Sequence, residues 1–435
     1  MIIPKRFLAE PLFYLPATGN FIKLTKNYIC TVQFKNITGQ KEIKEQLVQM
    51  VQHNRLSHAL LFLGKEGSGA LSLAMAFTQY IVCEKVNGNK EERPESSLFG
   101  EEPIAEKQAI SKHDSCGVCP ACIKAARLMH PDIHYCYPVI TKKAGQTPIS
   151  TDFITDWREF FSIHPYGNVY DWLQFIHAEN KQGNITAEEC NDINRKISLK
   201  SFESEYKILI IWMPEYLTKN GNKLLKLIEE PPPNTLFILV AENEGLILPT
   251  ILSRTQLVKI PLLTNLEIEA ALELKIGVAM EKARQVAALS EGNYREALQL
   301  LQHADDDWQT TVREWLNLLV KKNLSGQVKW IDDMSKQGRE KQKQFLKYFT
   351  HLLEQAIRIK SISSLIHAQE TGNNEQDFAL RLNKLCSIPQ QEAIINELDK
   401  ASYYVERNAN GKMLFHALSI KLYHIISNNS LILVN

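Results

Sequence analysis

The sequence contains no long apolar run and no excess of charge of either sign. No segment reaches the roughly 18 apolar residues of a membrane-spanning helix, and basic and acidic residues number 50 and 49. The first absence argues against a transmembrane protein, and the second gives no global attraction to nucleic acid or to membranes. These features predict a soluble cytoplasmic protein. Its 435 residues are enough for about two to four domains.

A glycine-rich loop of the phosphate-binding kind lacks its lysine. Residues 64–72 read G-K-E-G-S-G-A-L-S, whereas the phosphate loop requires G-x-x-x-x-G-K-[ST]. Ala70 stands at the lysine position, and Leu71 replaces the magnesium-binding hydroxyl. We interpret the loop as a vestigial nucleotide site, with an accidental glycine-rich turn as the alternative. The vestigial phosphate-binding residues would be Gly64, Gly67 and Gly69.

The second half of a nucleotide site is missing as well. Residues 208–211 have the pattern of a buried strand, which in such an ATPase ends in an acidic pair for magnesium and water. Here the strand runs into Trp212 and Met213, which we interpret as core residues that fill the vacated space. The loss of both parts of the nucleotide site predicts an ATPase fold that no longer hydrolyses ATP and has no functional ATP binding.

Strand and helix patterns alternate as far as residue 261, and only helical patterns follow. Strand patterns occur at 58–63, 207–211, 236–240 and 258–261. Such alternation predicts a parallel sheet covered by helices on both faces. We predict an N-terminal extension at 1–33, an α/β domain at 34–261, a helical lid at 262–305, and a domain of four or five longer helices at 306–435.

The first 31 residues fit nothing that follows them, and Met1 is their only methionine. One hypothesis is that translation starts at Val32. The alternative is a disordered extension.

Three closely spaced cysteines, Cys116, Cys119 and Cys122, indicate a metal site in a module at 83–122. Their thiolates can converge on one ion, and tetrahedral Zn²⁺ needs a fourth donor. The candidates for this donor are Cys83, Cys136, His113 and His130. With four thiolates the zinc would be structural, because no position is left open for water. The alternative is an unmetallated cysteine cluster.

Several segments in sequence order resemble one family. N-K-L-L-K-L-I-E-E-P-P at 222–232 and L-P-T-I-L-S-R at 248–254 are similar to signatures of AAA+ clamp-loader subunits. The segments at 34–40, 58–64 and 292–298 also fit that family. The resemblance covers most of the predicted α/β domain and lid. It implies a RecA-like AAA+ P-loop domain, a small helical lid and a C-terminal helical collar that holds an oligomer together.

Within that family, the missing lysine and acidic pair resemble the delta-prime subunits of the bacterial DNA polymerase III clamp loader. Delta-prime subunits keep the AAA+ shape without turning over ATP, whereas tau and gamma subunits are the motors. The resemblance implies a chain that is no enzyme on its own but belongs to a DNA polymerase holoenzyme. Its expected partners are the tau/gamma and delta subunits and, indirectly, the sliding clamp and primed DNA.

The resemblance also implies roles for single residues. Arg254 is expected to face the ATP of a neighbouring motor subunit as an arginine finger in trans, with an ordinary surface arginine as the alternative. Arg295 matches a second sensor arginine that contacts nucleotide in cis. Without a cis nucleotide, we expect Arg295 to form a structural ion pair. Cys83 matches the family's fourth zinc-binding cysteine and is therefore our predicted ligand.

Two rival functions stay open on the sequence. An ATP-hydrolysing tau/gamma-type motor predicts turnover by the purified chain, and the absent lysine and carboxylates argue against it. A zinc-bearing pseudo-ATPase adaptor that binds nucleic acid predicts no stoichiometric copurification with polymerase subunits. A cluster of aromatic residues is interpreted as packing rather than as a base-stacking platform: Trp157, Phe160, Tyr166 and Trp172.

Overall fold

The computed structural model describes residues 32–87, 113–142, 145, 147–178, 181–302, 308–363, 374–406 and 409–428. The chain divides into two units, residues 1–299 and 300–435. The predicted extension, apart from its last two residues, and most of the segment between Cys83 and Cys116 lie outside the described residues. Within the described part of the chain, no helix has the length and apolar character needed to cross a membrane.

A parallel five-stranded sheet lies at the centre of the first unit. Its strands are β1 (Ala59–Gly64), β2 (Ile133–Cys136), β3 (Lys207–Trp212), β4 (Thr235–Ala241) and β5 (Gln256–Ile260). They lie in the order β2-β3-β4-β1-β5, and every neighbouring pair is parallel. The predicted parallel α/β fold is confirmed. The edge strand β2 is an addition to the four strands that the sequence pattern predicts.

Helices pack on both faces of this sheet. Around the sheet they are α1 (Lys41–Gln52), α2 (Ala70–Val82), α3 (Glu84–Asn87), α4 (Pro120–Ala126), α5 (Ile154–Ile163), α6 (Val169–Phe175), α7 (Ala187–Ser198), α8 (Leu225–Glu229) and α9 (Pro249–Leu252). The segment predicted as the lid contains α10 (Asn265–Ala271), a π-helical turn (Leu272–Ile276), α11 (Met280–Ser290) and α12 (Tyr294–Gln302). Short 3-10 helices are Phe34–Asn36, Ser150–Phe153, Pro214–Leu224 and Glu244–Leu246.

Two apolar cores lie on opposite faces of the sheet, because successive strand residues point to opposite sides. On one face, Phe62 and Ile210 belong to a core that includes all the large apolar residues of α2. On the other face, Leu61 and Leu209 pack in a core with Ile193 of α7. Burial on both faces accounts for strands that are apolar almost without interruption.

The second unit is helical throughout its described residues. Its helices are α13 (Trp308–Val320), α14 (Leu324–Lys336), α15 (Arg339–Ser363), α16 (Asn374–Leu385), α17 (Ile388–Glu406) and α18 (Gly411–Asn428). The helical fold class is confirmed, but these six helices exceed the four or five expected. Trp315 lies in their core beside Phe345 and Phe415, and its indole N–H donates to Ser419 Oγ at 3.0 Å.

Candidate functional site

The glycine-rich loop connects the carboxyl end of β1 to the first turn of α2. Gly67 and Gly69 have φ angles of +73° and +84°, in the left-handed region that favours glycine. A Cβ on Gly67 would also lie only 1.9 Å from Asn293 Oδ1. The loop therefore touches the segment that begins α12, and the Tyr294 N–H donates to the Gly67 carbonyl at 3.2 Å.

A small pocket lies over this loop, at the carboxyl ends of the central strands. Its volume is about 30 Å³, enough for roughly two water molecules. Ala70 and Leu71 line it from α2, and Trp212 and Met213 line it from the end of β3. All four side chains are buried, so apolar groups occupy the positions where lysine, hydroxyl and carboxylates would be needed.

Trp212 packs against two members of the predicted aromatic cluster, Trp157 and Phe160. Its ring centroid lies 5.1 Å from that of Trp157 and 6.3 Å from that of Phe160. Trp157, Phe160 and Trp172 are fully buried, as expected of packing residues. Tyr166 lies at the pocket itself, where its ring meets Tyr294 edge to face at 4.8 Å.

Two acidic residues also line the pocket, Glu66 from the loop and Glu242 from the end of β4. Burial raises the pKa of Glu242 to about 8, and the nearby charges of Glu66 and Glu215 raise it in the same direction. Glu215 in turn accepts the backbone N–H groups of Glu242 and Asn243 at 2.7 and 2.9 Å. Near neutral pH Glu242 is therefore largely protonated, and Glu66 is the carboxylate at this position that disfavours a second anion such as a nucleotide phosphate.

Arg295 is bound within the chain by two carboxylates. Its Nη1 donates to Glu66 Oε1 at 2.9 Å, while Nε and Nη2 donate to the two oxygens of Asp171. Only 6% of the Arg295 side chain is exposed. The arginine predicted to form a structural ion pair thus forms two, with the loop residue Glu66 and with Asp171 of α6.

Arg254 lies on the surface between α9 and β5. Its Nε and Nη2 pair with the Glu229 carboxylate, and Nη1 donates to the Thr250 carbonyl at 2.8 Å and to Ser253 Oγ at 3.0 Å. The side chains of Arg254 and Glu229 are 34% and 43% exposed. An exposed ion pair of this kind contributes little to stability, so another anion can replace the Glu229 carboxylate.

Four cysteines come together at the end of α2. The Sγ atoms of Cys83, Cys116, Cys119 and Cys122 all lie within 4.8 Å of one another. Cys83 follows the last residue of α2, Cys119 caps α4, and Cys122 lies inside it. Among the described residues, the cluster includes none of the other candidate donors. Cys136 lies instead in the core on the opposite face of the sheet.

The donor set of this cluster fits a zinc ion. Backbone N–H groups donate to the sulfurs of Cys83, Cys116 and Cys119 at 3.3 to 3.5 Å, which favours thiolates. The contact between Cys83 and Cys122 lowers the pKa of Cys83 and raises that of Cys122. The contact thus favours the thiolate of Cys83 and opposes that of Cys122. Four soft sulfur donors in this arrangement suit tetrahedral Zn²⁺.

Sequence reasoning missed the acidic side of the loop. Glu66 lies inside the motif itself, so the sequence shows its negative charge. The sequence does not show which residues Glu66 contacts. Asp171 and Arg295 are 124 residues apart in the sequence, and no local pattern connects them. Glu242 follows an apolar strand, and only the structure reveals that it is half-buried at the pocket.

Replacing Glu242 with glutamine is expected to stabilise the chain increasingly as the pH rises. The folded pKa of about 8 exceeds the unfolded value near 4.5, so folding favours the protonated form. The stability that this proton supports is present at low pH and is lost as the pH rises through the folded pKa. Urea unfolding measures the free energy of unfolding of both proteins. The value for Glu242→Gln minus that for wild type should grow by roughly 2–4 kcal/mol between about pH 5 and about pH 8.5. Glu281→Gln, at an exposed position, should show no such growth, and an equal effect in both variants would contradict the assignment.

Residues 39–264, slightly more than half of the chain, match the protein-family model described as "DNA polymerase III, delta subunit". A curated relative, the Bacillus subtilis DNA polymerase III subunit delta', is 26% identical over 262 residues, which is 60% of this chain and 59% of that protein. The B. subtilis subunit tau is 24% identical over 278 residues, covering 62% of this chain and 38% of tau. The chain thus spans about two fifths to three fifths of the length of these relatives.

A similar solved structure is a Thermotoga maritima protein described as DNA polymerase III gamma subunit-related. It is 13% identical, and the alignment covers 88% of this chain and 98% of that chain with a TM-score of 0.34.

Proposed function

Since the chain belongs to the family described as DNA polymerase III, delta subunit, we propose that it is a non-hydrolysing AAA+ subunit of a DNA polymerase III clamp loader. In this role it assembles with tau/gamma and delta subunits. The complex then loads the sliding clamp on primed DNA, so contacts of this chain with clamp and DNA are indirect. On its own the chain is not an enzyme.

The altered phosphate pocket is the observation that carries this proposal. Ala70 and Leu71 supply neither an ammonium group nor a hydroxyl, and Trp212 and Met213 line the pocket where an ATPase would have its acidic pair. Glu66 adds a carboxylate, and Glu242 a carboxyl group without positive charge, where phosphates would need cations. These features support a subunit that neither binds ATP productively nor hydrolyses it. They argue against the tau/gamma-type motor.

Arg254 is proposed as an arginine finger that acts on the ATP of the neighbouring motor subunit. It is partly exposed, and its only described carboxylate partner is a surface residue, Glu229. A γ-phosphate has more negative charge than one carboxylate and presents several oxygens to the guanidinium fork. Arg254 can therefore exchange Glu229 for a phosphate when a motor subunit docks beside it.

The cysteine cluster is proposed to hold a structural Zn²⁺ ion. A bound ion would tie the end of α2 to α4 through Cys83 and Cys122. With all four positions occupied by sulfur, such an ion supplies stability and takes no part in catalysis. We further propose the division into an α/β domain at 34–261, a lid at 262–305 and an oligomerising collar at 306–435.

Assembly with purified clamp-loader subunits tests the proposal. The full chain is mixed with tau/gamma and delta subunits from the same organism, and the complex is analysed by size-exclusion chromatography with light scattering. We expect a stable complex of fixed stoichiometry that contains this chain. A nucleic-acid-binding adaptor would elute apart from the subunits, and that result would overturn the proposal.

A further inference from the structure

We propose that Glu66 takes the place of a bound phosphate and locks α12 against the phosphate loop without any nucleotide. The inference goes beyond the proposed function, because it concerns how this chain holds its own conformation. It holds or fails whether or not the chain assembles into a clamp loader.

Glu66 has the position and the contacts of a captured anion. It lies in a loop that precedes the N-terminus of a 13-residue helix, where the helix dipole and backbone N–H groups favour negative charge. Its Oε1 accepts from Arg295 Nη1 at 2.9 Å and from Asn293 Nδ2 at 3.2 Å. Its Oε2 accepts from Asn168 Nδ2 at 2.9 Å. Donors from two other segments thus converge on one carboxylate.

Asp171 completes the attachment of Arg295. The Asp171 carboxylate accepts from Arg295 Nε and Nη2, and it also accepts the Asn168 N–H at 3.1 Å. In the reverse direction, Asn168 Oδ1 accepts the Asp171 N–H at 2.9 Å. These two reciprocal hydrogen bonds form a capping box at the start of α6. One network therefore joins the phosphate loop, the start of α6 and the start of α12.

The network is buried enough for its loss to matter. Exposed fractions are 6% for the Arg295 side chain, 14% for Asp171 and 26% for Glu66. Removing Arg295 leaves the Glu66 and Asp171 carboxylates without their shared cation, and removing Glu66 leaves Arg295 with one carboxylate in place of two; either loss is more costly here than breaking a surface pair. A chain that supplies its own anion for Arg295 needs no ligand to bring these segments together.

Hydrogen exchange of the full chain tests the lock. In Arg295→Ala and in Glu66→Ala, amides of α11 and α12 should exchange about tenfold faster or more, since local opening becomes easier. The matched control is Arg284→Ala, which removes an exposed ion pair between α11 and Glu269 of α10, inside the predicted lid. It should leave the exchange of α12 unchanged. Wild-type exchange rates in both network variants would overturn the proposal.

Rescue with inorganic phosphate tests whether Glu66 stands where a phosphate would. Potassium phosphate, compared with potassium chloride at equal ionic strength, should restore slow exchange of α12 in Glu66→Ala, because the phosphate can accept from Arg295 Nη1 in place of the missing carboxylate. It should not do so in Glu66→Ala/Arg295→Ala, and wild type should not respond. Failure of rescue in Glu66→Ala, or equal rescue in the double variant, would overturn the phosphate-substitute assignment. If Glu66→Ala is too unstable to purify, Glu66→Gln, which keeps the shape and removes the charge, is tested in the same way.

Neither experiment depends on other subunits. A chain that assembles normally but shows no lock contradicts this inference alone. A chain that shows the lock but never assembles contradicts the proposed function alone.

Discussion

Replacing Arg254 with alanine is expected to slow ATP hydrolysis at the motor site that it faces by about 10³-fold. A guanidinium delivered in trans stabilises the charge that develops on the transferring phosphoryl group, and arginine fingers supply rate factors of about 10³ to 10⁵. The effect should appear in single-turnover hydrolysis by the reconstituted complex with primed DNA and clamp. Steady-state rates would understate it, because other sites in the complex continue to turn over.

Two matched variants separate a finger from a merely structural arginine. Arg254→Lys keeps the charge but loses the planar fork, so most of the rate should still be lost. Glu229→Gln removes the carboxylate partner of Arg254 and leaves the guanidinium in place. The Glu229→Gln complex should hydrolyse ATP within a few-fold of wild type, as expected for an exposed pair. Normal hydrolysis by an intact Arg254→Ala complex would remove the finger assignment.

Replacing Cys83 with serine is expected to abolish zinc binding and to destabilise the chain by several kcal/mol. Its sulfur is one of four that converge, and three thiolates do not complete the closed site of a structural zinc. Metal binding to such a site contributes directly to the free energy of folding. Elemental analysis of protein purified without chelator should find about one zinc per chain in wild type and almost none in the variant. Thermal unfolding measures the loss of stability.

Cys136→Ser is the control for this experiment. Cys136 is buried like Cys83 but lies in the core on the other face of the sheet. We expect the Cys136→Ser variant to keep its zinc even if the substitution lowers the stability of the chain. Full zinc in Cys83→Ser would contradict the ligand set and would point to a donor such as His113 in its place.

The elements predicted well from the sequence are those with long, regular patterns. Strands β1, β3 and β4 each contain six or seven residues that are almost all apolar, because both faces of the sheet are buried. The edge strand β2 has only four residues, one of them His134, so it shows no pattern that stands out. The helical unit was predicted with too few helices, since apolar periodicity does not show where one helix ends and the next begins.

In the candidate site too, some residues could be predicted from local sequence patterns and others could not. The missing lysine at Ala70 is read directly from a motif, and so are three of the four cysteines. The fourth, Cys83, required the family resemblance, since 32 residues separate it from Cys116. The ion pairs of Arg295 with Glu66 and Asp171 are products of tertiary folding, with partners 229 and 124 residues away. Charge alone cannot indicate which carboxylate a buried arginine will meet.

ATP hydrolysis by the purified chain alone tests the central claim most directly. The claim is that this chain keeps the fold of an ATPase while its own phosphate pocket is chemically disabled. We expect no hydrolysis above the background of a mock preparation, purified in parallel from cells that do not express the chain. Turnover at the rate of a motor subunit, retained through successive purification steps, would contradict the account.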